Sequence, residues 1–268
     1  MKLRTPGFWL IVATVGLLAL LPMQALAGMS PAEVLKFQNC MAKAKRGDAI
    51  SQYNAGAYYN NGDGVPRDLV QSLYWYRKAA EQGFLNAQYR LGEKYHQGVI
   101  VAKDDLEAFK WFSKAANQGH TQAQYNVGHF YEKGYGVTRD MKIAFYWYRQ
   151  AAAQGYAMAQ FNVGHCYANG LGVEKNHVQA VSWYRSAAMQ GDAIAQRNLA
   201  DYYAKGEGHV AKNELDAYVF YSLAGTLDVE ASNIAAVLEK KLSRSDVAAG
   251  QSRIKELQKK ISRTQTGM

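Results

Sequence analysis

The chain has 268 residues, two cysteines and a formal net charge of +9 at pH 7. Much of this charge lies from residue 239 onward, where eight Lys and Arg side chains stand against three acidic ones, a surplus of five. The rest of the chain is close to neutral. This distribution excludes a basic surface that runs along the whole molecule and makes the positive charge a property of the C-terminal segment.

Residues 1–27 predict a cleaved signal peptide. Lys2 and Arg4 form a positive start, Phe8 to Leu21 is almost wholly apolar, and Ala25-Leu26-Ala27 fits the rule of small residues before a cleavage site. The apolar run is short for a membrane span, so cleavage is favoured over an uncleaved anchor. We therefore expect an exported protein, periplasmic or secreted, that meets anionic envelope polymers and lipid head groups rather than nucleic acid.

Residues 28–46 predict a single capping helix. Ser30 is suited to be its N-cap and Pro31 its first helical residue, with Glu33 in the first turn. Its register places it one repeat before the first tryptophan-bearing helix, so we expect it to close the N-terminal end of a stack.

A 36-residue period runs through the centre of the chain. Trp75, Trp111, Trp147 and Trp183 recur at this interval, each followed by Tyr or Phe, and so do Gly47, Gly83, Gly119, Gly155 and Gly191. Large side chains at one fixed interval are typical of a solenoid, in which each unit meets its neighbour through the same surface. We expect the four indoles to form the core between units.

Each repeat predicts a helix, a glycine turn and a second helix. The spacing of Ala123, Val127 and Tyr131 marks one stripe of a first helix, which should end at a left-handed glycine. Such glycines are Gly62, Gly134, Gly170 and Gly206, and the N-caps predicted for the second helices are Asp68, Asp104, Asp140 and Asn176. A glycine inside each first helix, as at Gly128, is expected to admit the indole of a neighbouring unit.

This pattern resembles the Sel1-like repeat family, which is related to the tetratricopeptide repeats. The motifs G-x-G-V, an Asp cap, W-Y and A-A-x-x-G occur in that order several times over residues 47–228, which hold five repeats, and residues 229–268 follow as basic capping helices. The resemblance implies an all-α, right-handed α-solenoid of antiparallel helix pairs that serves as a scaffold, adaptor or regulator for other proteins. It implies no active site.

The candidate partner-binding residues are first-helix positions whose residue type varies between repeats. In related solenoids the first helices line the concave face, where amides are able to hydrogen-bond the backbone of a bound protein or peptide. The alternative is that each amide ties down a neighbouring turn. The candidates are Asn54, Arg90, Asn126, His129, Asn162, His165 and Asn198.

The basic C-terminal cap supports a different hypothesis, in which the chain binds an anionic polysaccharide or a membrane surface. A solvated helix face without a ligand is the simpler interpretation. The residues concerned are Lys240, Lys241, Arg244, Arg253, Lys259 and Lys260.

The sequence predicts no catalytic residues, no metal site and no cofactor. The six histidines include no pair spaced three to five residues apart, and there is no phosphate-binding glycine motif. A hydrolase is the less favoured alternative, because no nucleophile stands with a base. Cys40 and Cys166 lie more than three repeats apart, so we expect free thiols, with an intermolecular bridge as the alternative. The sequence does not define the oligomeric state.

Overall fold

The computed structural model describes residues 29–266, so the predicted signal peptide at residues 1–27 lies outside the described residues. Within residues 29–266 there are thirteen α-helices and no strands. The predicted fold class, an all-α solenoid of antiparallel helix pairs, is confirmed. The helices are α1 Pro31–Lys45, α2 Ala49–Asn61, α3 Leu69–Glu81, α4 Leu85–Gln97, α5 Asp105–Asn117, α6 Thr121–Lys133, α7 Met141–Ala153, α8 Ala157–Asn169, α9 His177–Ala188, α10 Ala193–Lys205, α11 Glu214–Ala224, α12 Val229–Lys241 and α13 Arg244–Thr266.

The chain forms two compact units, Met1–Leu91 and Gly92–Met268, with the boundary inside α4. In each of them, first helices alternate with second helices along the chain. The pairs α2 with α3, α6 with α7, α8 with α9 and α10 with α11 make the most extensive contacts.

The turn chemistry predicted from the sequence is confirmed at single residues. Gly134 ends α6 with φ 75° and Gly170 ends α8 with φ 71°, a left-handed conformation that glycine adopts without a Cβ clash. Asp140 then begins α7, and its carboxylate accepts hydrogen bonds from the backbone N–H groups of Lys142 and Ile143. Each cap satisfies donors that the first turn of a helix otherwise leaves unbonded.

The second glycine of each G-x-G turn packs against the preceding second helix. A Cβ atom at Gly136 would lie 2.6 Å from the backbone of Asp105, where α5 begins, and one at Gly172 would lie 2.0 Å from the carbonyl oxygen of Met141 in α7. Gly64 makes the same approach to Glu33 in α1, at 2.3 Å. The helix α1 therefore takes the place of a second helix.

The glycine inside the first helices α2, α4, α6 and α8 admits a ring of the same repeat. A Cβ atom at Gly128 would lie 2.8 Å from the Tyr148 ring, and one at Gly164 would lie 2.9 Å from the Tyr184 ring. The prediction that these glycines admit the indole of a neighbouring unit is therefore wrong. The residue after each tryptophan is turned by about 100° around the helix, and this rotation points its ring at the paired helix.

The tryptophans contribute less to the core than the sequence predicts. Trp75 and Trp111 are 8% exposed, but Trp147 and Trp183 are only half-buried. The ring that follows each of them is buried more deeply, with Tyr148 at 1% and Tyr184 at 2% exposure. The expectation that all four indoles form the core is thus wrong for the last two, because the neighbouring tyrosine occupies the centre of the helix pair.

Buried glutamines link successive repeats. The amide nitrogen of Gln124 donates to the Ala116 carbonyl at 3.3 Å, and its oxygen accepts from the Gln154 amide at 2.8 Å. Gln154 also donates to the Gly119 carbonyl at 3.2 Å. The pair Gln160 and Gln190 repeats these bonds one unit later, and Gln52 with Gln82 does so in the first unit. This glutamine ladder joins the end of a helix pair to its own start and, through residues such as Gln124, to the end of the previous pair.

The C-terminal helix α13 packs along α11. Gly250 lies against the Tyr218 ring, and Leu257 and Ile261 are buried on the same side of α13. Near the end of the helix, the Gln265 amide donates to the Gln190 carbonyl at 3.3 Å. The helix α13 thus covers one side of the fifth repeat, and the opposite face of α13 is exposed.

Ser72 provides a test of the helix-pair packing, because its hydroxyl is fully buried in α3 and has no hydrogen-bond partner. The equivalent residues Ala108, Ala144 and Ala180 are all buried alanines. We predict that Ser72→Ala raises the free energy of unfolding by about 1 kcal/mol, because a buried unbonded hydroxyl is removed. Chemical denaturation followed by circular dichroism measures the change. The reverse substitution, Ala144→Ser, should lower stability, and a loss of stability in Ser72→Ala would contradict the argument.

Candidate functional site

The predicted amides of the second unit lie at equivalent positions on three first helices. Asn126 is on α6, Asn162 on α8 and Asn198 on α10, and all three are half-buried. The first-helix face of the second unit is defined here as the side of α6, α8 and α10 that carries them. In the first unit, Asn54 is exposed on α2 and Arg90 is exposed on α4, with its guanidinium 5.7 Å from the centre of the Tyr89 ring.

Two of the three amides contact tyrosine hydroxyls. The side chain of Asn162 lies beside the hydroxyl of Tyr125 and that of Asn198 beside the hydroxyl of Tyr184, each close enough to lower the pKa of the tyrosine. Burial raises the pKa of Tyr125, and the Asn162 amide offsets part of that rise. The structural role considered from the sequence therefore applies to Asn162 and Asn198, although what they hold is a ring and not a turn.

The two predicted histidines stack on aromatic rings of their own helices. The His129 ring lies 6.4 Å from Tyr125 with an angle of 1° between the planes, and His165 lies 6.1 Å from Phe161 at 24°. His129 is half-buried, whereas His165 is exposed. Burial lowers the pKa of His129, and the negative charge of Glu132 offsets only part of this effect. His129 is therefore neutral near pH 7.

Five half-buried rings form a continuous aromatic track along α6. From one end to the other, the successive ring centres are separated by 5.7 Å, 5.7 Å, 6.4 Å and 5.3 Å. The aromatic track consists of His96, Tyr135, His129, Tyr125 and Tyr156, all of which belong to the second unit. Sequence reasoning selected only His129 from this set. A signal was available at Tyr135, since the equivalent positions of the other repeats carry no ring.

A carboxylate with a matching lysine lies beside the track. Glu132 accepts a hydrogen bond from the Tyr148 hydroxyl at 2.5 Å and forms an ion pair with Lys133 at 2.6 Å. Burial pushes the pKa of Glu132 up, but the bonds from Lys133 and Tyr148 outweigh burial and hold it below its usual value. Glu132 is therefore ionised and its charge is balanced by its neighbour.

The His96 end of the track has a second balanced pair. Asp105 lies 2.7 Å from the Nδ1 atom of His96 and 3.2 Å from the Lys103 ammonium group. The same ammonium group sits 5.5 Å from the centre of the Tyr135 ring. A lysine of the chain itself thus occupies the cation position over this ring.

The cysteines are both free thiols. Cys166 is buried in α8, and burial raises its pKa to about 12. Cys40 is half-buried and donates to the Ser51 carbonyl at 3.2 Å; burial raises its pKa too. Neither is activated as a thiolate nucleophile. Among residues 29–266, no group of three or more His, Cys, Asp or Glu side chains is arranged to hold a metal ion.

The predicted basic cap divides into paired and solvent-facing residues. Arg253 forms an ion pair with Asp216 of α11, and Lys260 forms one with Glu256 at 2.6 Å. The other predicted members, Lys240, Lys241, Arg244 and Lys259, are exposed. Lys259 also forms a stripe with Lys255 and Arg263, because residues four positions apart lie on the same face of a helix. Lys255 and Arg263 were not among the residues predicted from the sequence. This outer basic stripe faces away from the buried side of α13.

The Sel1-repeat model matches residues 49–84, 85–120, 121–156, 157–192 and 193–229. The chain belongs to the Sel1-repeat family. Sel1-repeat proteins are generally protein-interaction scaffolds, typically without catalytic activity. These matched segments begin two residues after the boundaries chosen from the glycines, and each starts where a first helix starts.

Solved structures with the same repeat are similar to this chain. A Sel1-repeat protein from Oxalobacter formigenes is 30% identical, with a TM-score of 0.69 over 83% of this chain and 99% of the other. A protective antigen of uropathogenic Escherichia coli with the same repeat fold is 29% identical, with a TM-score of 0.58 over 87% of this chain. The chain spans only 59% of the length of that antigen. No curated protein gives a significant match.

None of the helices in the described part of this Sel1-repeat chain combines the length and the apolar character needed to cross a membrane.

The environment of His129 predicts a pH effect on stability. The groups that face it are Glu132 and Lys133 on its own helix and His96 on α4. Because its pKa is lowered in the folded state, the unfolded chain binds this proton more readily as the pH falls below 6.5, the ordinary value, and folding stability decreases. We predict that His129→Gln makes the decline in melting temperature between about pH 7 and about pH 5 shallower.

The control for this prediction is His165→Gln, at the equivalent exposed position on α8. It should keep the wild-type dependence of melting temperature on pH. A His129→Gln variant whose pH dependence equals that of the wild type would contradict the assignment.

Proposed function

We propose that the chain is a non-catalytic scaffold that binds another protein or a peptide on the first-helix face of its second unit. The observation that carries the proposal is the combination of half-buried amides at equivalent positions of α6, α8 and α10 with stacked rings beside them on α6 and α8. The positions that pack the repeats keep the same residue types, with Ala, Gln and an aromatic ring at each interval. The row beside the amides, His129, His165 and Asp201, instead varies between repeats, as expected where a ligand rather than packing selects the residue.

We also propose that the chain acts after export, in the periplasm or outside the cell. The proposal is supported by the charged start, apolar stretch and small-residue cleavage pattern of residues 1–27. A hydrolase is the least favoured hypothesis, because the family is typically non-catalytic and both thiols have raised pKa values.

The first-helix face is tested by capture of partners from periplasmic extract with the purified chain. We predict that Asn126→Ala combined with Asn162→Ala weakens capture about tenfold or more, because each amide lost removes about 1 kcal/mol of hydrogen bonding. Quantitative mass spectrometry of the captured proteins measures the loss, and cytosolic extract should yield no partner with the same dependence.

The control is Gln122→Ala, an exposed position on the same helix α6, which should leave capture unchanged. The melting temperature of each variant separates a lost contact from a lost fold. Full capture by a well-folded double variant would exclude the first-helix face as the binding surface.

A second candidate function, binding to an anionic membrane or polysaccharide, is favoured by the outer basic stripe of Lys255, Lys259 and Arg263. All three side chains are exposed, and no acidic residue of α13 forms an ion pair with them. Each basic residue near an anionic bilayer contributes about 1 kcal/mol. We predict that replacing all three with Gln weakens binding to phosphatidylglycerol vesicles roughly 100-fold at low salt, as measured by co-sedimentation.

The matched control removes the same charge elsewhere, with Lys142, Lys175 and Lys205 replaced by Gln. These exposed lysines lie outside α13, so this variant should still sediment with the vesicles. Equal losses of vesicle binding in the two triple variants would show that net charge alone, and not the outer basic stripe, determines binding. No loss of binding in either variant would reject the membrane hypothesis.

A further inference from the structure

The aromatic track reaches its full length only on α6. On α8, the position equivalent to Tyr135 is Leu171 and the position equivalent to Tyr156 is Asp192. Asp192 accepts a hydrogen bond from the Ala195 backbone and so caps α10, whereas Tyr156 makes no side-chain cap bond for α8. A polar cap is worth about 1 kcal/mol. The ring at Tyr156 therefore replaces a stabilising residue and packs on Tyr125 instead.

Tyr125 is also held in a defined orientation. Its ring contacts the Tyr148 ring, with centres 5.6 Å apart, and its hydroxyl lies beside the Asn162 amide on the next first helix. A ring fixed at its edge and at its hydroxyl presents a preformed surface, which lowers the entropy cost of binding. Asn126 follows Tyr125 directly and is half-buried beside it.

The charges beside the track are already balanced by the chain itself. Glu132 is paired with Lys133, and Asp105 with Lys103, which also lies over the Tyr135 ring. A charged ligand would have to compete with these lysines or carboxylates and would gain little. The surface is thus suited to an uncharged ligand that buries apolar area and offers acceptors to amide donors.

A proline-rich segment in the polyproline II conformation has these properties. Its rings pack on aromatic side chains, its backbone is extended without internal hydrogen bonds, and its carbonyl groups need external donors. We propose that the aromatic track binds a proline-rich segment of the partner, with Asn126 donating to one of its carbonyl oxygens. This inference rests on the proposed function and specifies the chemistry of the partner.

The probe for this inference is an acetylated, amidated hexaproline peptide with a fluorescent label, titrated with the complete chain and followed by anisotropy. Tyr125→Leu keeps an apolar side chain of similar size but removes the ring and its contact with Asn162. We expect it to weaken hexaproline binding about tenfold, because a well-packed ring contact is worth about 1 kcal/mol beyond its buried area. His129→Leu should have a similar effect.

Phe161→Leu is the matched control, because it changes the same position on α8, where the track is absent. It should change the affinity by less than about twofold, and raising the salt from about 0.05 M to about 0.5 M should also have little effect on a neutral ligand. A labelled Gly-Ser peptide of the same length should bind at least about tenfold more weakly, since it has no rings to pack and is flexible.

Three outcomes would overturn the inference. They are equal binding of the Gly-Ser peptide, equal losses in Tyr125→Leu and Phe161→Leu, and binding that disappears at high salt. If the double asparagine variant loses capture of its partner while hexaproline does not bind, the first-helix face stands and the proline-rich ligand is rejected. If the double variant keeps full capture, the proposed function fails whether or not hexaproline binds.

Discussion

The close approach of a ring to the backbone of its paired helix is the constraint on which the rest of the structure depends. At Gly128 there is no room for a Cβ atom, because the Tyr148 ring lies where that atom would be. Glycine in a helix interior costs about 0.5–1 kcal/mol relative to alanine, so the contact must return more than this through burial of the ring. The ring in turn fixes how closely α6 and α7 approach each other. Because the same pair recurs at Gly164 and Tyr184, the α8 and α9 pair has the same close approach as the α6 and α7 pair.

The glutamine ladder gives this stack its register. A buried amide that misses its partners costs about 1–3 kcal/mol, so α7 displaced along α6 would lose both bonds of Gln154, and α6 displaced along α5 would lose the bond of Gln124 to Ala116. Apolar contacts alone are less directional and tolerate small displacements. Ring contacts therefore set the distance between helices, and amide bonds set their alignment. The C-terminal helix adds a similar bond, because the Gln265 amide donates to the Gln190 carbonyl at the end of the fourth repeat.

The repeat architecture could be predicted from the sequence because the same residue pattern recurs several times. Left-handed glycines such as Gly134 and caps such as Asp140 have a local cause, and a single repeat is enough to predict them. The sequence did not predict which ring enters the helix pair. Trp147 and Tyr148 are adjacent and recur at the same interval, so only the rotation of the helix determines which of them points at the paired helix. The aromatic track was inaccessible for a different reason. Its five rings come from three segments of the chain, and no period connects His96 to Tyr135.

Departures from the repeat are the places where a ligand, and not packing, selects the residue. At the start of a first helix, Asp192 supplies a polar N-cap, whereas Tyr156 supplies a ring, as Phe84 does before α4. Packing does not require a ring at the position of Tyr135, because Leu171 occupies the equivalent position after α8. Both departures add a ring to the same surface and both accompany the same helix, α6. The rings lie on one side of one helix, and the neighbouring carboxylates are neutralised by Lys103 and Lys133. This combination is more consistent with a neutral ligand on α6 than with random drift of the repeat.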